Sequence, residues 1–295
     1  MTDMPEMPEV EALTRLLDRR MAGRRVERCE LASFSALKTV APPIVSLTGR
    51  VARGCRRRGK YLCLDFDGLW LVAHLGRAGW VRWYDGLPPR RARPTGSPLG
   101  LRVGLSSRED EGCGPGFDVT EAGTQKRLSL WVVEAPSQVE GIATLGMEPL
   151  DPALDTDALA GLLKGAGGTV KSALSTQSLL AGVGNAYSDE ALHAARLSPF
   201  KLARNLTALE VEALRLALVG VLREAVARAD GLDPAALKAE KRRSMRVHGR
   251  AGEACPVCHD TVRAVAFATR SLQYCPTCQT GGRPLADRRL SRLLK

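Results

Sequence analysis

Residues 255–278 read CPVCHDTVRAVAFATRSLQYCPTC, and this stretch decides the fold of the carboxyl-terminal part of the chain. It contains two Cys-x2-Cys pairs, Cys255 with Cys258 and Cys275 with Cys278, separated by sixteen residues. Each pair can hold one edge of a tetrahedral ion, and the span between them suits a short β-hairpin. Thiolates at this spacing select zinc, and four protein ligands leave no open position on the ion. The pattern therefore predicts a zinc finger with one structural Zn²⁺.

Positive charge is concentrated around this motif. The 295 residues include 43 Lys+Arg and 32 Asp+Glu, a formal net charge of +11. Residues 238–295 alone contain 13 Lys+Arg against 4 Asp+Glu, and residues 50–60 contain six basic residues and no acidic one. A basic segment that holds a zinc hairpin commonly presents cations to a phosphate backbone. We therefore expect a nucleic-acid partner, with an ordinary solvated charged surface as the alternative.

The composition excludes several classes of protein. With 44% hydrophobic and 25% charged residues, the chain is globular rather than disordered, collagenous or coiled-coil. No run approaches the roughly 18 consecutive apolar residues that a membrane span needs. Residues 1–6 are acidic and lack the apolar core of a signal peptide, so we expect a cytoplasmic protein.

The hydrophobic pattern changes along the chain. Residues 26–133 have the pattern of strands and turns: residues 61–68 alternate into a turn, and residues 69–74 follow as an antiparallel partner. After residue 149 the apolar period becomes helical, over 159–163, 179–195 and 206–228, with Thr207 as the N-cap of the last helix. The predicted class is α+β, with a β-rich domain, a helical domain and a zinc module.

Two further motifs have structural interpretations of their own. Residues 4–11 read MPEMPEVE, which is typical of a helix start with Pro in the first turn and acids at the positive end of the dipole. Residues 182–185 read GVGN, where the glycines permit a tight turn and free backbone N–H groups can hold a phosphate. Asn185 then either caps the following helix or donates to a phosphate oxygen.

In combination, these motifs resemble the formamidopyrimidine-DNA glycosylase and endonuclease VIII family. The resemblance extends from Met4 to Cys278 and rests on six motifs in this order: residues 4–11, Gly59-Lys-Tyr-Leu62, His74-Leu-Gly76, Gly182-Val-Gly-Asn-Ala-Tyr187, Val247-His-Gly-Arg250 and the four cysteines. It implies an N-terminal β-sandwich flanked by helices, a helix–two-turn–helix domain and a C-terminal β-hairpin zinc finger.

Domain limits follow from the resemblance and the pattern together. We expect the catalytic sandwich at residues 4–133 and a linker at 134–150. The helix–two-turn–helix domain is expected at 151–245, the zinc finger at 246–280 and a basic tail at 281–295. The tail is either a docked helix or a disordered DNA-gripping arm.

The resemblance also implies a function in base-excision repair. The expected protein is a monomeric, bifunctional DNA glycosylase and abasic-site lyase of the bacterial cytoplasm, associated with the nucleoid. It would flip an oxidised base out of double-stranded DNA, excise it through an iminium on an N-terminal proline, and cleave the strand by β,δ-elimination. The alternative is a non-catalytic zinc-finger paralogue that recognises abasic or damaged sites.

Site residues carry over where the motifs match. Pro5 matches the proline nucleophile, Glu6 the adjacent carboxylate that moves protons, and Lys60 the hairpin lysine beside the lesion phosphate. Arg270 matches the finger arginine, which we group with the catalytic residues. The expected DNA-binding residues are Lys171, Asn185, Arg77 and Arg127.

Departures from the family pattern concern the start of the chain and base recognition. Residues 1–3 precede the motif, and a peptide bond to Pro5 would block its amine, so we expect translation to begin at Met4. Residues 124–129 read TQKRLS where purine-repair members have DPRRFG, which leaves Leu128 as the candidate apolar wedge. Arg77 stands where a Met usually fills the hole left by the flipped base. The segment between Arg228 and Arg246 is also short for a lesion-capping loop, so the preferred lesion and the opposite base stay open.

Overall fold

The computed structural model describes residues 4–88, 98–107, 113–267 and 271–286. The chain divides into two compact units, Met1–Thr144 with Ala229–Lys238, and Leu145–Arg228 with Ala239–Lys295. Within the described ranges, none of the helices combines the length and apolar character needed to cross a lipid bilayer.

The first unit is a β-sandwich with one long helix. One sheet has the strand order β1-β6-β7-β5 and the other β2-β3-β4-β8, and the paired strands are antiparallel. The elements of this unit are α1 (Met7–Met21), β1 (Val26–Leu31), β2 (Ala52–Arg58), β3 (Tyr61–Phe66), β4 (Leu69–His74), β5 (Gly79–Tyr84), β6 (Leu99–Leu105), β7 (Gly116–Glu121), β8 (Ser129–Val133) and the short α2 (Glu140–Ala143).

The β3–β4 hairpin confirms the strand pair predicted from alternation. Phe66 pairs with Leu69, which leaves Asp67 and Gly68 as a two-residue turn. Both turn residues have positive φ, 55° and 79°, as a type I′ turn requires, and Asp-Gly is a preferred sequence for it. The turn fixes the register, so that alternate side chains of β3 face the core of the sandwich.

Apolar side chains of both sheets and of α1 form one core in this unit. The contributors from α1 recur at helical spacing and include Val10, Leu13 and Leu17, all at most 1% exposed. Helix α1 packs mainly against β2. The core therefore holds the start of α1 against one edge of a sheet, which positions the N-terminal motif.

The second unit is helical and ends in a hairpin. Its elements are α3 (Thr156–Gly165), α4 (Val170–Ser175), α5 (Asn185–Ala194), α6 (Ala208–Ala229), α7 (Pro234–Ser244), β9 (Arg263–Ala266), β10 (Ser271–Tyr274) and α8 (Pro276–Thr280), with the ends of α6 and α7 nearest residues 229–238 grouped with the first unit. β9 and β10 pair antiparallel. Together with the sandwich, this arrangement confirms the predicted α+β fold.

Side-chain bonds explain where the helices begin. The hydroxyl of Thr207 accepts the N–H of Glu210 (3.3 Å), and Glu210 accepts the N–H of Thr207 in return (2.8 Å), which confirms the predicted N-cap. The helix predicted over 179–195 begins only at Asn185. Before it, Gly182 adopts a φ of 84°, and Gln177 bonds the backbone of Gly182 and Val183 (2.9 and 2.6 Å), which stabilises a turn instead.

The start of the tail docks on the zinc hairpin. The N–H of Leu285 donates to the hydroxyl of Tyr274 at 2.7 Å, and the Leu285 side chain packs against Val265, Leu272 and Tyr274. Residues 281–286 contain no helix, and residues 287–295 lie outside the described part of the chain.

Candidate functional site

Pro5 and Glu6 lie at the amino end of α1. Both residues are buried, with Glu6 only 3% exposed. The N–H of Glu6 donates to Oε2 of Glu9 at 2.8 Å, so that Glu9 satisfies a backbone donor that the helix leaves open. The two carboxylates lie at the positive end of the helix dipole, which favours their charge. The N-terminal motif is thus a rigid part of the unit.

Lys60 lies in the turn between β2 and β3. Arg58 pairs with Tyr61, so Gly59 and Lys60 form a two-residue hairpin turn. Gly59 adopts a φ of 54°, a left-handed conformation that glycine tolerates without steric cost. Lys60 itself is 8% exposed. The hairpin therefore fixes the backbone of this lysine.

Two bonds show that α1 runs antiparallel to β2. Near the end of the helix, Oδ1 of Asp18 accepts the N–H of Cys55 at 2.8 Å. About two turns earlier in the helix, Oε2 of Glu11 accepts from Nε of Arg57 at 2.9 Å. Going toward the amino end of α1 therefore means going toward the carboxyl end of β2, where the β2–β3 turn lies.

The same register brings the N-terminal motif and the hairpin lysine to one end of the first unit. Glu6 lies about 7.5 Å along the helix axis from Glu11, at about 1.5 Å per residue. Because residues 59 and 60 form the turn, Lys60 lies about two strand steps, or about 7 Å, beyond Arg57, at about 3.3 Å per residue. The start of α1, with Pro5 and Glu6, and the turn with Lys60 therefore lie toward the same end of the unit, although Glu6 and Lys60 are 54 residues apart in the sequence.

His74 is a neighbour of Lys60 that sequence reasoning did not assign. It pairs with Tyr61 across β3 and β4, with ring centroids 4.8 Å apart. Burial, with a smaller effect of the Lys60 ammonium, lowers the pKa of His74 from 6.5 to about 4. Its Nδ1 accepts the N–H of Gly76 at 3.3 Å, as a neutral imidazole can. Near neutral pH the imidazole of His74 is therefore uncharged.

Arg77 and Arg127 lie on adjacent segments of the first unit. Gly76 has a φ of 60°, and a Cβ at this position would lie 2.7 Å from the carbonyl oxygen of Arg127. Oε1 of the buried Glu121 accepts the N–H groups of Arg127 (2.5 Å) and Leu128 (2.8 Å). This carboxylate orders the backbone of the segment while the Arg127 side chain stays exposed.

Leu128 does not lie where a wedge needs to be. Its side chain is 3% exposed and belongs to the sandwich core, where it packs on Gly100. The expectation that Leu128 is an exposed apolar wedge is therefore wrong, because the residue fills the space above a glycine of β6.

In the second unit, Lys171 lies in a network of internal acceptors. It is 7% exposed, and its Nζ donates to the carbonyl oxygen of Asn185 (2.6 Å), to Oγ of Ser188 (2.7 Å) and to Oδ1 of Asp189 (2.7 Å). An ammonium has three N–H groups, and these three acceptors match them.

Asn185 connects α5 to the hairpin. It is the first residue of the helix, and Gly184 takes the N-cap position, so the capping interpretation of Asn185 is wrong. Its Nδ2 donates to the carbonyl oxygen of Ser271 at 2.7 Å. Ser271 directly follows Arg270, which lies outside the described residues. A cavity of about 390 Å³ adjoins this bond, lined by Asn185, Lys171, Phe200, Val265 and neighbouring residues.

Asp189 and Glu190 are two positioning residues that the sequence analysis missed. Glu190 accepts the backbone N–H groups of Arg246, Val247 and His248 at 2.8–2.9 Å, and burial raises its pKa. Oδ2 of Asp189 contacts Nδ1 of His248 at 2.7 Å. The two acids therefore hold the VHGR motif, and the signal for them in the sequence was two adjacent acids within one short helix.

The four finger cysteines form a metal site. Their Sγ atoms all lie within 4.8 Å of one another, with Cys258 and Cys275 at 3.3 Å and Cys255 and Cys278 at 3.9 Å. Four sulfurs bound tetrahedrally at about 2.3 Å from zinc lie about 3.8 Å apart, so the donor set fits this ion. This site accounts for one structural zinc.

Family models match three successive parts of the chain. They are the formamidopyrimidine-DNA glycosylase N-terminal domain over residues 4–109, the formamidopyrimidine-DNA glycosylase H2TH domain over residues 145–234, and the zinc finger found in FPG and IleRS over residues 252–281.

Relatives match over nearly the whole chain or over half of it. The formamidopyrimidine-DNA glycosylase of Symbiobacterium thermophilum is 36% identical, over 94% of this chain and 89% of the relative. An uncharacterized formamidopyrimidine-DNA glycosylase-like protein of Mycobacterium tuberculosis is 55% identical over 151 residues, which are 51% of this chain and 94% of the relative.

Solved structures share the fold. The MutM (Fpg) protein from Thermus thermophilus is 30% identical with a TM-score of 0.78, over 95% of this chain and 100% of that chain. Lactococcus lactis Fpg in complex with DNA that contains an abasic site has a TM-score of 0.81 at 23% identity, over 93% of this chain and 99% of that chain.

Proposed function

The chain belongs to the formamidopyrimidine-DNA glycosylase family, and we propose that it is a base-excision repair DNA glycosylase that also cleaves the strand at abasic sites. Its substrate is double-stranded DNA that contains an oxidised base or an abasic site, and it acts as a monomer in the bacterial cytoplasm, on the nucleoid. The observation that supports the proposal is the antiparallel course of α1 and β2, which directs the start of α1 and the β2–β3 turn toward the same end of the first unit.

Pro5 is the proposed nucleophile. An α-amino group has a pKa near 7.7–8.0, so a large fraction is neutral at working pH, unlike an ordinary lysine near 10.4. The nitrogen lone pair forms a bond to the sugar C1′ while the glycosidic bond breaks, and the electron pair leaves with the base, which takes up a proton. The new bond leaves the Pro5 nitrogen cationic. The nitrogen gives its remaining proton to the Glu6 carboxylate, and the lone pair freed in this way forms the iminium with C1′ as the C1′–O4′ bond of the sugar ring breaks.

Glu6 and Lys60 handle the protons and charges of these steps. Glu6, held at the helix start, passes the proton that it takes from the Pro5 nitrogen to O4′ as the ring opens. The iminium acidifies the 2′ proton; its loss expels the 3′ phosphate, and a second elimination expels the 5′ phosphate. Lys60 contacts the phosphate near the lesion and stabilises its charge.

In this proposal, residues of the second unit bind the DNA backbone. Asn185 and Arg270 bind phosphate oxygens, which the bond from Asn185 to the carbonyl oxygen of Ser271 supports. Lys171 orders Asn185 through its carbonyl oxygen and adds positive charge beneath the phosphate. Zinc, bound by the four cysteines, holds the finger in a folded form.

Arg77 and Arg127 are the proposed contacts to the space left by the flipped base and to the opposite strand. Their segments are adjacent, and guanidinium groups donate to base edges or stack on them. Since neither residue is an equivalent of an apolar plug, the preferred lesion must be measured with a panel of oxidised purines and pyrimidines placed opposite each base.

Borohydride trapping tests the mechanism. A preparation with a free Pro5 amine, verified by mass spectrometry, is incubated with an abasic-site duplex and sodium borohydride, which reduces an iminium to a stable covalent adduct. We expect the adduct, and we expect it to disappear in a matched preparation that retains Thr2 at its start, where the Pro5 nitrogen is an amide. An undiminished adduct in the Thr2 preparation would exclude Pro5, whereas tight binding without adduct by the free-amine protein would favour a non-catalytic damage sensor.

A further inference from the structure

His193 connects α5 to the cysteine cluster. Its side chain is 3% exposed, and its Nε2 lies 3.3 Å from Sγ of Cys255. The other ring nitrogen, Nδ1, is buried and has no hydrogen-bond partner among the residues that the structure describes. The sulfur of Cys255 is therefore the polar group to which this imidazole is directed.

The chemistry of a zinc site indicates which of the two atoms donates the hydrogen bond. A zinc-bound cysteine is a thiolate, and its sulfur accepts hydrogen bonds. A neutral imidazole has a single N–H, and the tautomer with the proton on Nε2 donates it to Cys255. Donors outside the ligand shell orient a ligand and stabilise its charge, and their loss typically weakens metal binding about 10–100-fold.

A second connection ties the other cysteine pair to the region that follows α5. Oε1 of Gln279 accepts the N–H of Cys275 at 2.9 Å, and Nε2 of Gln279 donates to the carbonyl oxygen of Leu197 at 2.9 Å. Each cysteine pair thus has one polar tie to the helical part of the unit. Of these two ties, the one from His193 reaches a ligand sulfur directly.

We propose that His193 is a positioning residue of the zinc site, which donates its Nε2 proton to the Cys255 thiolate and holds the finger against α5. Asn185, the first residue of the same helix, donates to Ser271 of β10. One ten-residue helix therefore joins the zinc site at one end to the hairpin at the other. This role is independent of the reaction proposed above.

The test compares zinc-loaded full-length variants. His193→Phe keeps an aromatic ring but removes the N–H, and His193→Gln restores a donor. Leu192→Ala is the matched control, because Leu192 is fully buried on the same helix and its loss weakens packing without removing a polar contact. The readouts are the rate of zinc transfer to 4-(2-pyridylazo)resorcinol and the sulfur-to-metal charge-transfer band of the Co²⁺-substituted protein.

We expect His193→Phe to bind zinc about 10–100-fold more weakly, to transfer it faster, and to shift the Co²⁺ band to longer wavelength, since a thiolate without a donor gives up charge more easily. His193→Gln is expected to stay close to the parent, and Leu192→Ala to leave the band position unchanged. An unmoved band in His193→Phe, or a defect in His193→Gln equal to that of His193→Phe, would overturn the proposal.

A measurement on the unsubstituted chain covers the case in which His193→Phe does not fold. In protein loaded with ¹¹³Cd²⁺, a hydrogen bond to a metal-bound sulfur transmits scalar coupling from the metal to the donated proton. We expect this coupling at the Nε2 proton of His193. Its absence, while the Cys255 β protons show their own coupling, would show that the imidazole does not donate to the sulfur.

Discussion

At the residue scale, the neutral state of His74 has a consequence for stability. Its pKa is lowered to about 4 by burial and by Lys60, against 6.5 for an ordinary histidine. Between these values the unfolded chain binds a proton at His74 and the folded chain does not. The free energy of unfolding therefore rises with pH in this window, by up to about 1.4 kcal/mol per pH unit from this group, and is lost as the pH falls toward 4.

His74→Phe tests this dependence, because it removes the titrating group and keeps an aromatic ring beside Tyr61. We expect urea unfolding between pH 4 and 6.5 to show a smaller slope of unfolding free energy against pH in the variant. His259→Gln is the control, because it removes a histidine at an exposed position of the finger. Equal slopes in the parent and in His74→Phe would contradict the prediction.

Lys171 shows what a sequence can and cannot reveal about a single residue. The family resemblance implied that Lys171 and Asn185 both bind DNA, and the structure places the two in contact. Its three acceptors come from residues 185–189, on a different helix, and no local pattern indicates that they surround the ammonium. The same limit applies to Leu128, whose burial depends on a glycine in β6. Motifs predicted the candidate site residues, whereas the partners of those residues depend on tertiary packing.

Lys171→Met separates a supporting lysine from one that only contacts DNA. The substitution leaves the buried Asp189 without its cation, and breaking a buried ion pair from one side typically costs about 3–5 kcal/mol. We expect a loss of this order in urea unfolding followed by far-UV circular dichroism. Lys164→Met, at an exposed position of α3, is the control. If Lys171→Met unfolds with the same free energy as the parent and only binds DNA more weakly, Lys171 does not support the fold.

At the scale of elements, a buried ion pair joins β6 to β7. Arg102 and Asp118 are register partners and form two hydrogen bonds of 2.7 Å, with both side chains at most 10% exposed. Asp118→Asn leaves Arg102 with an incomplete partner set, so we expect it to lower the free energy of unfolding by about 3 kcal/mol.

A double variant shows whether this ion pair stabilises the fold, or whether each charge only neutralises the other. Replacing both partners by apolar residues of similar volume is often neutral or stabilising, so we expect Arg102→Leu/Asp118→Leu to be more stable than Asp118→Asn. Urea unfolding followed by tryptophan emission checks both variants. A double variant that is less stable than Asp118→Asn would show that the pair gives specific stabilisation.

Local sequence patterns predicted a helix or strand correctly where the local residues themselves determine that element. Alternation and an Asp-Gly turn predicted β3 and β4, and Thr207 predicted the start of α6. The helix predicted from residue 179 was too long, because its first six residues have an apolar pattern that belongs to a packed turn. Gln177 and the positive φ of Gly182 determine that turn, and hydrophobic periodicity carries no information about either.

In the molecule as a whole, most of the net positive charge and the zinc site lie in the carboxyl-terminal part of the sequence. The net charge of +11 arises largely in residues 238–295, which include the zinc finger, whereas the proposed nucleophile lies at the opposite end of the sequence. All four tryptophans lie before residue 145 and belong to the first unit: Trp70, Trp80, Trp83 and Trp131. Tryptophan emission therefore reports on the first unit, which includes the contact of Trp80 with Pro234, and zinc reports on the finger.

This separation makes the structural role of zinc measurable within the full chain. The finger has a small core of its own, formed by Val247, Val262 and the cysteines Cys255 and Cys275, which is too small to stay folded without the metal. We expect a chelator to abolish hydrogen-exchange protection in β9 and β10 and to weaken DNA binding, while the tryptophan emission maximum stays constant. Cys258→Ser should reproduce the effect without chelator, and Cys113→Ser, at an exposed cysteine, should not. A red shift of the emission on zinc removal would instead mean that the metal maintains the fold of the sandwich as well.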